Sequence, residues 1–261
     1  MLLLLQHNCQ EAITTVIRTD PNIWNDTYIA EHREEEPYMS QRREISLTCP
    51  QCGKKHPFII WNSINTTLDP EMKEAVKDRS AFRFVCPDCG AETYVDYDLL
   101  YHQMEDRIMI HYARLDESAE QIYQMLTKDD PEDMVQDMLR NHYLIRIVRS
   151  QNQLREKIAI FDAGLDDRII EIYKIFILHT VQEKDPDCRD IEMLYYKDPT
   201  EGKDFIQIIA DGKTYGVVEL KKTTYEELYN EYRDRLPDIR KDGPYIDRSW
   251  ALDKMKTWTR E

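Results

Sequence analysis

Alternating apolar and polar positions begin at Glu44 and predict four short strands. The four segments read EISLTC, HPFIIW, FRFVC and ETYVDY, at residues 44–49, 56–61, 82–86 and 92–97. Such alternation is typical of strands with one buried face. Between the second and third strands, TLDPEMKEAVKD predicts a short inserted helix, with Asp69 as its N-cap and Pro70 at its first helical position.

Beyond about residue 145 the apolar positions take helical spacing. Ser150 and Gln153 predict a capping box for a helix that runs through Phe161, and Gly164 suits the end of that helix. Asp166 then predicts the N-cap of a second helix, DDRIIEIYKIFILHT. Its apolar stretch contains charged residues and is shorter than the roughly 20 residues that span a bilayer, so we interpret it as a core helix.

The C-terminal part of the chain predicts a small module of strands and a helix. FIQIIADGKTYGVVEL holds two alternating strands around Asp211 and Gly212, a strong hairpin signal, and IEMLYY predicts a third strand. TTYEELYNEYRDRL predicts a helix with Thr224 and Glu227 as its capping box. The tail carries three large side chains that we expect to dock on this module in the same chain, namely Trp250, Met255 and Trp258.

Two cysteine pairs, in the sequences CPQCG and CPDCG, lie between the predicted strands. Cys49 and Cys52 are separated from Cys86 and Cys89 by residues 53–85. Each Cys-x-x-Cys turn places two sulfurs on one side of a bend, and the glycine after each pair lets the backbone curl so that amide hydrogens face the sulfurs. Four such thiolates suit one structural zinc ion, with Zn–S distances of about 2.3 Å.

Other interpretations of the cysteines stay open from sequence alone. The pairs could form disulfides, although a reducing compartment disfavours them. A thioredoxin-like redox motif has one such pair at the start of a helix, whereas this chain has two pairs between strands. Iron or an iron-sulfur cluster also accepts four thiolates. Three histidines could each replace a thiolate as a ligand, namely His56, His102 and His111.

Together these elements predict an α+β fold. We expect a zinc-ribbon-like antiparallel β module with an inserted helix, followed by helices and a small C-terminal module of a β-hairpin and a helix. The expected domains are a poorly ordered N-terminal extension at residues 1–43, a zinc-ribbon and helical region at 44–180, and an α+β module at 181–261. Within the extension, we expect one short helix around residues 9–18.

The cysteine motifs and their surroundings resemble the bacterial CpXC domain family. The resemblance extends to FIIWNSINTTLDPEMKEAV between the motifs and YVDYDLLYHQMEDRIMIHY after them, so that it covers residues 44–115 closely. Residues 145–172 are similar to the segment that longer members of the family carry after this region. The resemblance implies a zinc-binding domain held by the four cysteines, and it brings no enzyme activity and no established substrate.

The net charge of −15 bears on the partners and the location of the chain. No region of the chain is basic, and this lowers the expectation of nucleic-acid binding, because such binding depends on Lys and Arg neutralising phosphates. In the start, MLLLLQHNCQ, no Lys or Arg precedes the apolar run, and that run is shorter than the roughly 7 to 15 residues of a signal peptide. We therefore expect a cytoplasmic protein without a membrane partner.

Three classes of function fit the sequence to different degrees. The leading hypothesis is a non-enzymatic interaction or scaffold protein with one structural zinc ion, since no P-loop, nucleophile elbow or zinc-protease motif is present. The alternative is a nucleic-acid-binding ribbon with a surface of basic and aromatic side chains, namely Lys54, Lys55, Arg79, Arg83, Trp61 and Phe82. An enzyme is the third class, and its candidate pocket would lie around Asp162 and His179.

The segment FDAGLDDR could also be interpreted as a divalent-metal site. It contains Asp162, Asp166 and Asp167, but no histidine accompanies them. We favour a turn between two helices, in which Asp166 caps the second helix and Asp167 lies in its positively polarised first turn.

Overall fold

A computed structural model describes residues 16–18, 39–128, 136–137, 139, 142–188 and 190–259. In these residues the fold is mixed α+β, with six α-helices and three sheets. Contacts divide the chain into two compact units, one ending at Gln151 and one extending from Asn152 to the C-terminus. The domain boundary expected near residue 180 stays a prediction. A search of the described helices found none that is both long and apolar enough to cross a membrane.

A five-stranded sheet forms the centre of the first unit, in the order β2-β3-β6-β7-β8. Its strands are β2 (Gln41–Thr48), β3 (Lys55–Asn65), β6 (Leu99–Gln103), β7 (Ile108–Tyr112) and β8 (Leu144–Val148). The β2–β3 and β6–β7 pairs are antiparallel, whereas β3–β6 and β7–β8 are parallel. Ile64, Tyr101 and Ile110 lie fully buried on the central strands.

A second sheet of the same unit has the order β1-β5-β4. It contains β1 (Val16–Arg18), β4 (Arg83–Val85) and β5 (Glu92–Asp96), with β1 parallel and β4 antiparallel to β5. The helix predicted around residues 9–18 is therefore wrong at residues 16–18, because pairing with a strand distant in sequence determines the conformation there. Residues 9–15 lie outside the described part of the chain.

The inserted helix is confirmed as α1 (Glu71–Lys77), between β3 and β4. Its predicted cap is wrong: the helix begins one residue later than expected, Pro70 takes the N-cap position, and no side chain caps it. Asp69 is therefore one residue too far away to act as the cap. The unit also contains α2 (Asp116–Thr127), which precedes β8 in the chain.

The second unit begins with helices α3 (Gln151–Asp162) and α4 (Asp167–Lys184). The first residue of α3, Gln151, is still assigned to the first unit. Gly164 ends α3 as predicted, with a positive φ of 68°. The N–H of Gly164 donates to the carbonyl of Phe161, and the N–H of Leu165 donates to that of Ile160. This is the paired hydrogen bonding expected where glycine terminates a helix.

The predicted hairpin and third strand are confirmed as an antiparallel sheet with the order β11-β10-β9. The strands are β9 (Glu192–Lys197), β10 (Asp204–Ala210) and β11 (Lys213–Glu219). Asp211 and Gly212 both have positive φ, 50° and 72°, as a tight two-residue turn requires. Isoleucines on α4 and on β10 pack together in the core of this unit.

Two more helices complete the unit, α5 (Lys222–Tyr232) and α6 (Arg248–Trp258). The predicted capping box of α5 is wrong, because the helix begins at Lys222 and no side chain caps it. Docking of the tail is confirmed: Ala251 of α6 is fully buried against Ile169 and Ile172, and Trp258 stacks on Tyr232 with ring centroids 5.2 Å apart.

Charged side chains are buried between α3 and α4. Lys174 Nζ lies 2.6 Å from Glu156 Oε1 and 3.0 Å from Glu171 Oε1, and Lys157 Nζ lies 2.8 Å from Asp167 Oδ2. All five residues are at most 5% exposed. Sequence reasoning interpreted the helix as core but missed this network, because charged residues at helical spacing usually mark a solvated face.

Candidate metal centre

The two cysteine turns have the same backbone geometry. The N–H of Gly53 donates to the carbonyl of Cys49 over 3.0 Å, and the N–H of Gly90 donates to that of Cys86 over 2.9 Å. Both glycines have positive φ, 73° and 72°, a conformation that side chains with a Cβ rarely adopt. One turn joins β2 to β3 and the other joins β4 to β5, so that each hairpin extends a different sheet.

The turns bring the four predicted cysteines together. Their sulfurs all lie within 4.8 Å of one another, with Cys49 Sγ 3.7 Å from Cys89 Sγ and Cys52 Sγ 3.7 Å from Cys86 Sγ. These separations match the edge of about 3.8 Å in a tetrahedron of sulfurs around a zinc ion. They exceed the roughly 2.05 Å of a disulfide bond, and none of these cysteines forms one.

Electrostatics in this cluster favour a bound cation. A hydrogen bond from the backbone N–H of Cys52 is the largest influence on Cys49, and it helps to lower the pKa of that thiol to about 6. At Cys89 the N–H of Ala91 acts in the same direction, but desolvation and the three neighbouring sulfurs raise the pKa to about 12. Four thiols this close cannot all lose their protons unless a cation offsets the repulsion between them. The cluster could therefore hold a metal ion.

The burial of the cysteines differs within each pair. The first cysteine of each pair, Cys49 or Cys86, is 1% exposed, whereas the second is exposed. Phe84 on β4 is buried, with its ring centroid 6.0 Å from those of both His56 and Phe58. The candidate centre thus combines two buried sulfurs with two that are open to solvent.

His56 adds an outer contact to the cluster that sequence could only suggest. Its Nε2 lies 3.5 Å from Cys86 Sγ and 3.1 Å from Asp88 Oδ2, and Asp88 also accepts from Lys54 Nζ over 2.7 Å. Because four sulfurs already form a tetrahedron, this arrangement suits an imidazole that positions the Cys86 sulfur through a hydrogen bond.

Replacing His56 by alanine is expected to weaken metal binding about 10- to 100-fold, the usual consequence of removing an outer-shell partner. Competition with a chromophoric chelator measures this affinity, and the cobalt-substituted protein reports the number of thiolate ligands. We expect the thiolate-to-cobalt absorption to be retained. Loss of one quarter of that absorption in His56→Ala would mean that a thiolate had left the metal, and it would contradict an outer contact that leaves all four thiolates bound. His111→Ala, away from the cluster, is the control.

The other two histidines lie outside the cysteine cluster. His102 is 2% exposed, and its Nε2 lies 3.3 Å from Tyr143 Oη. His111 lies on β7, where desolvation lowers its pKa to about 4. Neither histidine replaces a thiolate in the cluster.

The aspartates of FDAGLDDR hold a helix–helix turn together. Asp166 Oδ1 accepts from the N–H of Arg168 over 2.9 Å, which confirms Asp166 as the cap of α4, and Asp166 also pairs with the Arg168 guanidinium. The fully buried Asp167 pairs with Lys157. Within the described residues, these carboxylates are absent from every group that could hold a metal.

Replacing Asp166 by alanine is expected to destabilise the second unit by about 1 to 2 kcal/mol, because the cap and the ion pair are both lost. Asp162→Ala is a suitable comparison, since Asp162 is an exposed residue at the end of α3. We expect its effect to stay within about 0.5 kcal/mol. Urea unfolding followed by circular dichroism measures both. Equal stability of the two variants would contradict the role of Asp166 as the cap.

The surface expected for nucleic-acid binding is largely occupied by contacts within the protein. Phe82 is fully buried, with its ring centroid 5.1 Å from that of Tyr97. Arg83 pairs with Glu92 over 2.6 Å, and Arg79 stacks on Tyr94 at 3.9 Å.

The two residues expected around an enzyme pocket are exposed. His179 is mostly exposed and pairs with Glu183, and Asp162 is exposed at the end of α3.

Comparison with known proteins gave one match. Residues 47–174 match a family model described as CpXC protein, and this segment contains all four clustered cysteines. Neither the curated proteins nor the solved structures gave a significant match. Residues 47–174, which make up just under half of the chain, therefore form a region of the CpXC family.

Proposed function

We propose that the protein is a non-enzymatic interaction or scaffold protein of a reducing compartment such as the cytoplasm, in which one structural zinc ion fixes the shape of a binding surface. The convergence of four sulfurs into a tetrahedral arrangement carries this proposal. Thiolates are preferred ligands of zinc, although iron accepts them as well. A zinc ion with four protein ligands has no open position for water or substrate, so it suits structure rather than catalysis.

The zinc would join two hairpins that belong to different sheets. Ile59 on β3 and Val85 on β4 lie on the strands that carry the turns, and these apolar side chains are 46% and 47% exposed. A partner that covers both side chains would need the two hairpins in a fixed arrangement. Metal binding would supply that arrangement.

Binding of nucleic acid is the less favoured function. The burial of Phe82 and the ion pairs of Lys54 and Arg83 occupy three of the six basic and aromatic groups on which it would depend. A salt-dependent mobility shift with single-stranded DNA or RNA at low micromolar concentration would favour nucleic-acid binding over the proposed function.

Metal analysis combined with affinity capture from the protein's own cells tests the proposal. We expect one zinc ion per chain, and we expect partner proteins captured by the wild type to be lost with Cys86→Ser. Cys188→Ser is the matched control, because Cys188 is a buried cysteine of the other unit. The absence of zinc, or the same captured partners with and without the metal site, would overturn the proposal.

A further inference from the structure

A groove in the second unit lies between helix α4 and strand β11. It encloses about 600 Å³, which lies within the range of binding sites for small molecules and short peptides. Phe176 and Ile177 of α4 form one wall, and Phe205, Val217 and Val218 of the sheet line the other. Phe176 is 42% exposed, so that its ring offers an apolar surface at the groove.

Strand β11 borders the groove and is an edge strand of its sheet. Its backbone pairs with β10 on one side, and among the described residues no backbone hydrogen bond satisfies the other side. Exposed edges of this kind are sites where an additional strand can pair.

The lining of the groove indicates that it runs along this edge. Val217 and Val218 are consecutive residues of β11, so that their side chains point to opposite faces of the sheet. Both line the groove, as do Tyr215 and Glu219, so that the groove follows β11 over five residues. An extended segment paired with this edge would place its side chains alternately toward and away from the groove.

The charged side chains of the groove indicate which kind of extended segment would bind there. Lys184 and Lys221 line it and make no ion pair with any described residue, whereas Lys203 is paired with Glu201 over 2.6 Å. Glu219 also lines the groove, close to Lys203. Two unpaired lysines in a chain of net charge −15 favour an acidic ligand.

We propose that an extended, acidic segment of a partner protein adds to the edge of β11 as a fourth strand. Its apolar side chains would occupy the groove beside Phe176, and an acidic side chain would pair with Lys184 and Lys221. This inference rests on the proposed function, since it identifies a segment through which an interaction protein would bind.

Selection from a displayed library of random peptides of about ten residues on the full, zinc-loaded chain tests the proposal. We expect the selected peptides to alternate apolar and polar residues and to carry Asp or Glu. Methylation of the peptide backbone nitrogens should weaken binding up to about tenfold at alternate positions and leave the intervening positions unaffected. A library without enriched sequences, or a methylation effect without this alternation, would overturn the proposal.

Matched variants assign the binding to the groove. Phe176→Ala should weaken binding about tenfold, whereas Tyr229→Ala should not, since Tyr229 is similarly exposed at 40% but does not line the groove. Lys184→Gln combined with Lys221→Gln should weaken it similarly, whereas Lys222→Gln should not. If the chain forms a dimer that Phe176→Ala dissociates, a second copy occupies the groove, and the proposal of a partner protein is wrong.

The same peptides distinguish the groove from the metal centre. The groove and the four clustered cysteines belong to different units, so we expect Cys86→Ser to retain peptide binding. If the peptide selection fails while partner capture still depends on zinc, only the proposal of a strand-binding groove is wrong. Peptide binding with zinc-independent capture would overturn the proposed role of the metal centre.

Discussion

Replacing Cys86 by serine is expected to weaken zinc binding on the order of a hundredfold and to expose both cysteine turns to protease. Structural zinc sites contribute about 10 to 16 kcal/mol, so that one of four equal ligands accounts for about 3 kcal/mol. Cys86 is buried and lies near both Cys52 and His56, and its loss therefore affects the centre of the cluster.

Cys86→Ser is expected to loosen some parts of the structure more than others. The β2–β3 hairpin is anchored in a five-stranded sheet, whereas β4 is a three-residue edge strand. We therefore expect hydrogen exchange to increase most at the turns and in β4, and the second unit to stay protected. Cys188→Ser should leave the zinc content unchanged. A Cys86→Ser protein that keeps its zinc and its protease resistance would contradict the four-cysteine site.

Replacing Lys174 by methionine is expected to destabilise the second unit by about 3 to 5 kcal/mol. Burial alone would lower the pKa of Lys174, but attraction by Glu156 and Glu171 raises it above its ordinary value. Methionine fills a similar volume and leaves two buried carboxylates without this cation. Lys157 Nζ still lies 3.6 Å from Glu171 Oε1, but Glu156 loses its direct ion pair, so that its desolvation and its repulsion from Glu171 are only partly compensated.

Urea unfolding followed by circular dichroism measures this loss. Lys184→Met is the matched control on the same helix, because Lys184 is exposed in the last turn of α4. Its effect should stay within about 0.5 kcal/mol. Adding Glu156→Gln to Lys174→Met should recover part of the stability, since it removes one of the uncompensated charges. A cost below about 1 kcal/mol for Lys174→Met would show that water or another cation compensates the carboxylates.

Local signals in the sequence predicted the local structure around the cysteines well. The spacing of the cysteines and the glycine after each pair predicted both turns, because these features act within a few residues. For the same reason Gly164, Asp166 and the Asp211–Gly212 turn were identified correctly. The caps at Asp69 and Thr224 were wrong, because each depended on the position of a helix end to within one or two residues.

The sequence by itself determined the cysteine turns, the hairpin of the second unit and the membership of residues 47–174 in the CpXC family. Only the tertiary structure decided that Phe82 is buried, that Lys174 is a core residue and that the two cysteine hairpins extend different sheets. Parallel pairing of β3 with β6 and of β7 with β8 joins segments distant in the chain, and no pattern within one segment specifies its partner. Turns are determined by neighbouring residues, whereas burial depends on which distant segments pack together.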